Sequence, residues 1–252
     1  MGHIIAKVQK AEKETEQVSL LTLDISINAQ PGQFVMAWLP GTEEKPMSVA
    51  NASPLQLAIA DAGEASKKMA SLKKGDILMV RGPYGKAFSP KGKKWLMVGG
   101  GYGFAPLRFL AKEGIKKGAQ IQSIIGARSK KYLMKEAPGK NHFTTDDGSA
   151  GEKGNVMAVL EPLLKKEKFD CIYCCGPEKM MLAVALLAKK NKISCQLSVE
   201  RYMKCGFGVC GHCAMGGWLS CIDGPTIDGE EALKNPQFGK LACDRAGKHV
   251  KI

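Results

Sequence analysis

The sequence predicts a β + α/β protein: a small antiparallel β-barrel, a doubly wound parallel α/β domain and a cysteine-rich module at the end. Three observations predict this fold. Short strand patterns fill residues 4–88, strands and helices alternate over residues 95–199, and four closely spaced cysteines follow. A chain of 252 residues can hold more than one hydrophobic core. We place the domain boundaries at residues 1–90, 91–199 and 200–252.

The barrel is predicted from alternating side chains and from turn residues. Residues 25–27 and 34–39 have strand patterns, and residues 55–59 alternate between large apolar and smaller or polar side chains. Turn-forming pairs such as Pro31-Gly32 separate the strands. One helical pattern, at residues 64–72, is suited to capping the barrel. Several short strands with such turns are typical of a small antiparallel barrel.

The α/β domain is predicted from a change of pattern at Trp95. A buried strand pattern at residues 95–98 leads into the glycine-rich segment 99–103 and then into a helical pattern at residues 104–112. The other predicted elements are strands at residues 120–126, 142–145, 171–175 and 195–199, and helices at residues 156–166 and 179–190. Strands that alternate with helices form a parallel, doubly wound sheet. We expect the join to the barrel at residues 89–94.

The composition narrows the class of protein. The chain carries a net charge of +13, and 44% apolar with 24% charged residues is typical of a soluble globular protein. Its longest apolar run, residues 180–188, is half as long as a membrane span, so we expect a cytoplasmic protein. The basic surface lacks interleaved aromatic residues or a groove-reading motif, which makes it weak support for nucleic-acid binding. It suits anionic dinucleotides or an acidic protein partner.

Four of the nine cysteines are spaced C-x4-C-x2-C-x7-C, at Cys205, Cys210, Cys213 and Cys221. This spacing is typical of plant-type sites in which four thiolates hold a two-iron cluster. Three glycines separate the first three cysteines, and a loop that folds around an inorganic core needs such backbone freedom. The sequence therefore predicts a 2Fe-2S cluster in this module.

Other interpretations of the cysteines are less well supported. A structural zinc site usually has two C-x2-C pairs, or one pair with two histidines, and this chain has a single pair. Disulfides do not suit the reducing compartment that we expect. We expect His212 to be solvated rather than a ligand. The cysteines at positions 171, 174 and 195 lie in predicted strands and are expected in the core, whereas Cys243 has no assigned role.

Three turns are suited to a phosphate-bearing ligand in the α/β domain. The segment 99–103 joins a strand to a helix, where backbone amides and the helix dipole favour a pyrophosphate. Residues 175–178 and 146–149 follow two further strands, and the carboxyl ends of parallel strands meet at one edge of the sheet. In the barrel, residues 45–48 and 63–67 offer a lysine and a helix start. Taken alone, these last two segments are more simply an ordinary turn and a helix cap.

Eight segments occur along the chain in the order KPMSVAN, GEASKKMASLKKGD, GPYG, GGGYGFAPL, GARS, TDDGSAGEKG, CGPEKMM and ERYMKCGFGVCGHC. In this order they resemble segments of ferredoxin–NADP reductase-type flavoproteins, and among these the electron-transfer subunits of type B dihydroorotate dehydrogenase. The resemblance continues into the final DGPTIDGEEALKNPQFG, so it covers essentially the whole chain. The cysteine loop and CGPEKMM are its specific parts, whereas GGGYG alone is not.

The resemblance implies an FAD site in the barrel, a nicotinamide-nucleotide site in the α/β domain and a cluster bound by the four cysteines named above. Implied FAD contacts are Lys45, Pro46, Met47, Ser48, Gly63, Ala65 and Ser66. Implied nucleotide contacts are Gly100, Gly101, Gly103, Asp146, Asp147, Gly148, Cys175, Gly176 and Pro177. The family usually has arginine in place of Lys45, and lysine keeps the charge without the bidentate fork.

The function implied by the resemblance is electron transfer between the 2Fe-2S cluster, FAD and NAD(H). The partner would be an FMN-containing catalytic subunit that oxidises dihydroorotate to orotate in pyrimidine biosynthesis, in a hetero-oligomer such as a heterotetramer. No side chain is implied to act as a catalytic acid or base, because the cofactors carry the chemistry. Arg128, Ser129 and Lys130 follow the second strand of the sheet and suit a 2′-phosphate, so NADP(H) stays open beside NAD(H).

Two alternatives remain. The short spacing before Cys221 also resembles that of diaphorase subunits of soluble hydrogenases, sulfide dehydrogenases and anaerobic sulfite reductase, which share this fold. An alternative of a different class is a non-enzymatic module that binds zinc or nucleic acid, favoured only by the positive charge.

Overall fold

The computed structural model describes residues 2–252, and its first part is a closed antiparallel barrel. The elements of this part are β1 (Ile4–Lys13), β2 (Val18–Leu23), β3 (Phe34–Trp38), β4 (Lys45–Ala52), β5 (Leu55–Ala60), α1 (Glu64–Ala70) and β6 (Ile77–Tyr84). The strand order is β1-β2-β5-β4-β3-β6, and the pairing of β6 with β1 closes the barrel. The predicted barrel is confirmed.

Alternation along the strands explains the barrel core. In β5, Leu55, Leu57 and Ile59 are fully buried while the residues between them are half-buried, as expected for a strand with one face inward. Met69 of α1 packs into the same core and closes one end of the barrel. The helix therefore caps the barrel, as the sequence predicts.

The predicted strand at residues 25–27 is wrong. These residues form a loop in which the amide of Ile27 donates to the carbonyl of Ala52, and the carbonyl of Ile25 accepts from Leu55. Both isoleucines pack partly buried against the barrel core. The apolar alternation that resembles a strand therefore comes from a loop lying across the end of the barrel.

The second part is a seven-stranded sheet with helices on both faces. Its first elements are β7 (Lys94–Gly100), α2 (Phe104–Lys116), β8 (Gln120–Ala127), β9 (Lys140–Thr145), β10 (Glu152–Lys153), α3 (Met157–Lys166), β11 (Cys171–Cys175), α4 (Glu178–Lys190) and β12 (Ser194–Ser198). Single 3-10 turns occur at Gly101–Gly103 and Lys130–Tyr132. These strands are parallel to their neighbours. Because α2 packs on one face and α3 with α4 on the other, the doubly wound prediction is confirmed.

The last part of the chain adds small elements to this sheet. They are β13 (Ala214–Met215), β14 (Trp218–Leu219), β15 (Thr226–Asp228), α5 (Gly229–Lys234), β16 (Leu241–Cys243) and β17 (His249–Lys251). Strand β15 pairs antiparallel with β12, so the sheet order is β10-β9-β8-β7-β11-β12-β15. A further bridge joins Lys86 to Pro225. The cysteine-rich part is thus joined by backbone pairing both to the sheet and to the segment that follows the barrel.

Helix α2 joins the barrel to the sheet. Leu107 and Leu110 pack in the sheet core, while Phe109 packs in the barrel core. Arg108 donates to Glu14 of the barrel at 2.6 Å, and both residues are buried. Burial acts to raise the pKa of Glu14, but the hydrogen bonds and charge of Arg108 outweigh it and hold that pKa below its usual value. This contact fixes the barrel against the edge of the sheet where the predicted turns meet.

Among residues 2–252, no helix is both long and apolar enough to cross a membrane.

Candidate functional site

The cysteine loop brings the four thiols together as two adjacent pairs. The sulfur atoms of Cys213 and Cys221 lie 3.3 Å apart. The Cys205 thiol accepts a hydrogen bond from the amide of Cys210 at 3.5 Å and lies beside the Cys210 thiol. The thiols of Cys205 and Cys221 are close enough to interact electrostatically. All four predicted ligands therefore lie in one loop cluster.

Backbone amides surround the Cys205 thiol. Partial burial acts to raise its pKa, but hydrogen bonds from the amides of Phe207, Cys210 and Val209 lower it from 9.0 to about 6. Burial and the adjacent Cys213 thiol raise the pKa of Cys221 to about 12. Metal binding requires thiolates, and a bound cation removes the repulsion between two of them. One thiol is thus prepared for deprotonation by the loop, whereas Cys221 needs the metal.

Two glycines allow the loop to take this shape. Gly206 and Gly208 have φ values of +78° and +88°, a region that residues with a side chain rarely adopt. A Cβ at Gly206 would lie 2.8 Å from Met36 of the barrel, and one at Gly208 would lie 2.8 Å from Ile222. The amide of Gly208 donates to the Cys221 thiol. These positions need glycine both for the turn and for the close approach of neighbouring side chains.

The donor set suits two irons better than one zinc ion. Within the part of the chain that the structure describes, no three histidine, cysteine or acidic side chains are already gathered around one point as metal ligands. A structural zinc site needs four such ligands around one point. Two adjacent thiol pairs with amide donors match a two-iron cluster, in which each iron has two protein ligands. The residues present fit the predicted 2Fe-2S cluster.

His212 is half-buried and its ring nitrogens do not reach solvent, so the prediction of a solvated side chain is wrong for these atoms. Both of its ring nitrogens are buried and make no hydrogen bond within residues 2–252. Its ring lies 6.2 Å from that of Tyr202, and a Cβ at Gly247 would be 3.5 Å from its Nε2 atom. Gly247 lies in the turn between β16 and β17, so the C-terminal hairpin shields the histidine from solvent.

A first cavity, of about 680 Å³, lies between the barrel and the carboxyl edge of the sheet. This volume is within the usual range for sites that hold a small organic ligand. The sequence-predicted residues that line it are Lys45, Pro46, Met47, Ser48, Gly63, Ala65, Ser66, Gly103 and Cys175. All seven barrel residues implied for FAD thus lie around one cavity, together with two of those implied for the nucleotide.

Two polar side chains of this cavity already have protein partners. The Nζ atom of Lys45 lies 2.8 Å from a Glu43 carboxylate oxygen and 4.9 Å from the centre of the Tyr202 ring. The Ser66 hydroxyl donates to the carbonyl of Gly63 and accepts from the amide of Ala62. Lys45 brings a positive charge to the cavity wall, while Ser66 shapes the turn at the start of α1.

A second cavity, of about 590 Å³, adjoins the first along the sheet edge. The sequence-predicted residues that line it are Gly100, Gly101, Asp146, Gly176 and Pro177. Arg128 also lines this cavity. Asp147 and Gly148 line neither cavity: the Asp147 carboxylate accepts from the amide and hydroxyl of Ser149 and closes a turn there.

Glycines let two loops of the sheet edge pack together. A Cβ at Gly103 would lie 2.8 Å from the carbonyl oxygen of Cys175, and one at Gly100 would lie 2.7 Å from the ring of Pro177. Burial, and then the charge of Glu200, raise the pKa of the Cys175 thiol to about 12, so it stays protonated at neutral pH. The glycine-rich loop and the segment after β11 therefore form one continuous floor beneath both cavities.

Tyr102 and Glu200 stand where the two cavities meet, and both line each of them. The Tyr102 hydroxyl donates to a carboxylate oxygen of Glu200 at 3.3 Å. Glu200 is open to the cavity space but enclosed by protein, and this desolvation raises its pKa. Neither residue was predicted from the sequence to have a role, although Glu200 opens the segment ERYMKC.

The C-terminal hairpin, β16 with β17, also lines the cavities. This was not predicted from the sequence. Ala242 lines both of them, Arg245 the first and Ile252 the second. Arg245 forms an ion pair with Glu43 of the barrel. Cys243 lies in β16 beside Ala242. The turn Asp244-Arg-Ala-Gly247 was the only local signal of a hairpin, and nothing nearby in the sequence shows what the hairpin covers.

A buried ion pair holds the segment after β12 against the sheet. Arg201 contacts both carboxylate oxygens of Glu178 at the start of α4, and its Nη2 atom lies 2.8 Å from Oε1. The amide of Gly239 donates to the same oxygen at 2.6 Å. Because both charges are buried, each depends on the other for compensation. The pair fixes the start of the cysteine loop relative to the second cavity.

The wall between the first cavity and the cysteine loop consists of shared side chains. Phe34 of β3 and Met203 line the first cavity. The same two side chains pack in a small buried cluster with Cys213 and Cys221. The cavity and the thiol pair therefore contact the same apolar residues.

Comparisons with known proteins agree with this geometry. Residues 200–233 match the family described as the iron-sulfur cluster binding domain of dihydroorotate dehydrogenase B. A relative from Methanocaldococcus jannaschii is 41% identical over 98% of both chains, and one from Thermococcus kodakarensis is 42% identical over 91% of this chain and 97% of its own. Both are described as the probable dihydroorotate dehydrogenase B (NAD(+)), electron transfer subunit.

Solved structures support the same fold. A chain of NADH-dependent reduced ferredoxin-NADP oxidoreductase is 31% identical and superposes with a TM-score of 0.82, covering 91% of this chain and 90% of its own. The ferredoxin reductase of carbazole 1,9a-dioxygenase is 22% identical with a TM-score of 0.66, over 76% of this chain and 66% of its own. The second likeness concerns the fold alone.

Proposed function

The chain belongs to the electron-transfer subunits of dihydroorotate dehydrogenase B, and on that premise we propose that it passes electrons between a 2Fe-2S cluster, FAD and NAD(H). A subunit of this family implies a catalytic partner subunit. We propose that this partner contains FMN and oxidises dihydroorotate to orotate. The oxidation releases two electrons, and NAD⁺ would finally accept them as hydride. The step would belong to pyrimidine biosynthesis.

The observation that supports this proposal best is the shared wall of Phe34 and Met203. These residues line the first cavity and also pack with the Cys213–Cys221 pair. Tyr102 and Glu200 line the first and second cavities together. The two cavities and the four thiols thus adjoin one another through shared residues, an arrangement that suits an electron relay.

We propose that the first cavity holds FAD. Residues 45–48 would flank the flavin ring, and residues 63–66 would receive the pyrophosphate, with Lys45 adding a positive charge. When bound, FAD would exchange electrons in pairs, as hydride, with a nicotinamide and singly with an iron–sulfur cluster. Phe34 and Met203 would pack between the two groups.

We propose that the second cavity takes NAD(H) in preference to NADP(H). Asp146 lines it at the carboxyl end of β9, where a carboxylate can accept hydrogen bonds from ribose hydroxyls and repels a 2′-phosphate. Arg128 lines the same cavity and would favour a 2′-phosphate. The relatives are named as NAD(+) enzymes, which supports the repulsion of a 2′-phosphate by Asp146 over its attraction by Arg128.

A second candidate function is electron transfer for a different partner. Its support is the close superposition on a chain of NADH-dependent reduced ferredoxin-NADP oxidoreductase. A diaphorase subunit of this kind would use the same three sites with another electron donor or acceptor. The two functions differ in the partner subunit rather than in the chain described here.

The experiment has two stages, both under anaerobic conditions. The chain is first loaded with FAD and iron–sulfur cluster and titrated with NADH or NADPH, following flavin absorbance and the electron paramagnetic resonance (EPR) signal of the reduced cluster. We expect NADH to reduce both groups. A colourless chain that retains zinc would contradict the proposal.

The second stage identifies the partner. The chain is co-expressed with its candidate catalytic subunit, and dihydroorotate-dependent reduction of NAD⁺ is measured in the purified complex. We expect this activity to need both subunits, and we expect the complex to contain FMN and to be a heterotetramer. A complex that reduces NAD⁺ only with another donor would support the second candidate.

A further inference from the structure

Arg81 is a buried arginine that reaches from the barrel to the cysteine loop. It lies on β6 and is 8% exposed. Its Nη2 atom donates to the carbonyl oxygen of Cys205 at 2.7 Å, across 124 positions of sequence. Its guanidinium also lies 5.5 Å from the centre of the Phe207 ring. The cation therefore contacts the turn whose amides donate to the Cys205 thiol.

Glu44 holds Arg81 from the other side. The carboxylate accepts from the Nε atom of Arg81 at 2.6 Å and from Nη2 at 2.5 Å, and the Nη1 atom donates to the hydroxyl of Tyr84 at 3.0 Å. Burial acts to raise the pKa of Glu44, but hydrogen bonds from Arg81 and His3 outweigh it and lower that pKa. Both members of the pair are thus charged at neutral pH, and neither lines either cavity.

We propose that Arg81 and Glu44 are positioning residues that set the reduction potential of the cluster through the carbonyl of Cys205. This inference rests on the proposed function, because it requires a cluster on the four cysteines. Reduction adds one negative charge to the cluster, so a nearby cation favours the reduced state and a nearby anion opposes it. The arginine contacts the loop directly and the glutamate contacts it only through the arginine, so the two charges act with opposite signs.

The test is a redox titration of the cluster, monitored by EPR, in the full chain loaded with FAD and cluster. Arg81→Gln leaves the Glu44 charge uncompensated, and we expect a lower potential. At a fixed solution potential, the ratio of reduced to oxidised cluster should fall about tenfold. For a one-electron couple this corresponds to a decrease of about 59 mV in the reduction potential. Glu44→Gln leaves the Arg81 charge uncompensated, and we expect a smaller shift to higher potential.

Arg108 provides a matched control. It is also 8% exposed and also paired with a glutamate, Glu14, but it joins the barrel to α2 rather than to the cysteine loop. Arg108→Gln should leave the cluster potential unchanged. The flavin potential, measured in the same titrations, should be the same in the Arg81 and Glu44 variants as in the unaltered chain.

The outcomes separate the possible roles. Opposite shifts in the two variants support the proposal. Shifts of the same sign, or unchanged potentials with a full complement of iron, overturn it and leave Arg81 as a structural anchor. If Arg81→Gln does not retain the cluster, Glu44→Gln decides: a raised potential supports the proposal, and an unchanged or lowered one overturns it. An unaltered chain that binds no two-iron cluster would refute the proposed function itself, which is visible before any variant is made.

Discussion

The chain has two groups of cysteines, and their surroundings shift the thiol pKa in opposite directions. Cys171, Cys174 and Cys195 lie on β11 and β12, are buried as the sequence predicts, and have pKa values raised by burial, to about 11 for Cys171. Cys205 lies on a loop whose amides lower its pKa to about 6. Burial that outweighs the few donors present makes a thiol inert, whereas converging amides prepare it to bind metal.

The difference does not come from the residue type or from closeness in the sequence. Cys205 follows Cys195 by only ten positions. The backbone of β12 pairs with β11 along its length, and Gln196, Leu197 and Ser198 also pair with β15, so its amides are engaged in the sheet. The glycine turns of the loop free their amides from such pairing. Backbone conformation therefore decides which thiols become ligands.

The largest expected effect comes from removing a thiol of the loop, with removal of a strand thiol as the control. Cys210→Ser should lose the cluster, with iron content and EPR signal falling to background, while reduction of FAD by NADH stays largely intact. Cys174→Ser should keep its iron, because that thiol is not near the loop. Iron analysis, EPR and anaerobic NADH titration measure these properties. If Cys210→Ser retains FAD but no longer accepts hydride, the flavin and cluster sites are not independent.

The second effect is on thiol reactivity in the metal-free chain. With a pKa of about 6 in place of 9.0, Cys205 is mostly thiolate at pH 7. Its thiolate fraction is roughly a hundredfold larger than that of a thiol with a pKa of 9.0. Its alkylation rate should rise through pH 6 and level off above pH 7, because the depressed pKa is passed there. Peptide mapping after iodoacetamide treatment would measure this. Cys174 should stay unmodified until the chain unfolds, and early labelling there would contradict the assignment.

The third effect comes from a glycine of the loop. Gly208→Ala forces a side chain into a φ of +88° and against Ile222, which costs about 1–3 kcal/mol and displaces the amide that donates to Cys221. We expect the cluster to be lost several-fold faster to a chelator. Gly118→Ala is the control, since its φ is +80° but its surroundings are open. It should lower the melting temperature without changing the rate of iron loss.

The smallest effect should come from a strand cysteine. Cys195→Ala removes a buried sulfur that packs against Gly229 at the start of α5, where a Cβ would lie 2.9 Å from that of Cys195. We expect the free energy of unfolding to fall by about 1–2 kcal/mol, as for the loss of a small core group. Urea denaturation would measure it. The iron content should be unchanged, and a loss of iron would show that this thiol does more than fill space.

The sequence was sufficient where the determinants are local. Strand alternation, helix patterns and cysteine spacing act over a few residues, and they predicted the barrel, the doubly wound sheet and the four clustered thiols. The strand at residues 25–27 was wrongly predicted because packing of a loop produced the same alternation. The burial of His212 was missed because a hairpin more than thirty residues later covers it.

The contacts that the sequence could not predict join distant parts of the chain. Arg81 meets Cys205, Arg201 meets Glu178, and Arg245 meets Glu43. Arg81 lies in the largely apolar strand β6, and nothing in the local sequence of any of the three arginines indicates its partner. Only the closure of the barrel and the order of the sheet bring these charges to their partners.

The pairing of β15 with β12 has a consequence for protein engineering. Thr226–Asp228 is the edge of the seven-stranded sheet, yet it lies beyond the last cysteine of the loop. Anyone who cut out the iron–sulfur segment to graft it onto another flavoprotein would leave that sheet one strand short and expose the backbone of β12. A transplant would have to carry the edge strand with it, onto a recipient whose sheet ends in an unpaired strand of matching length.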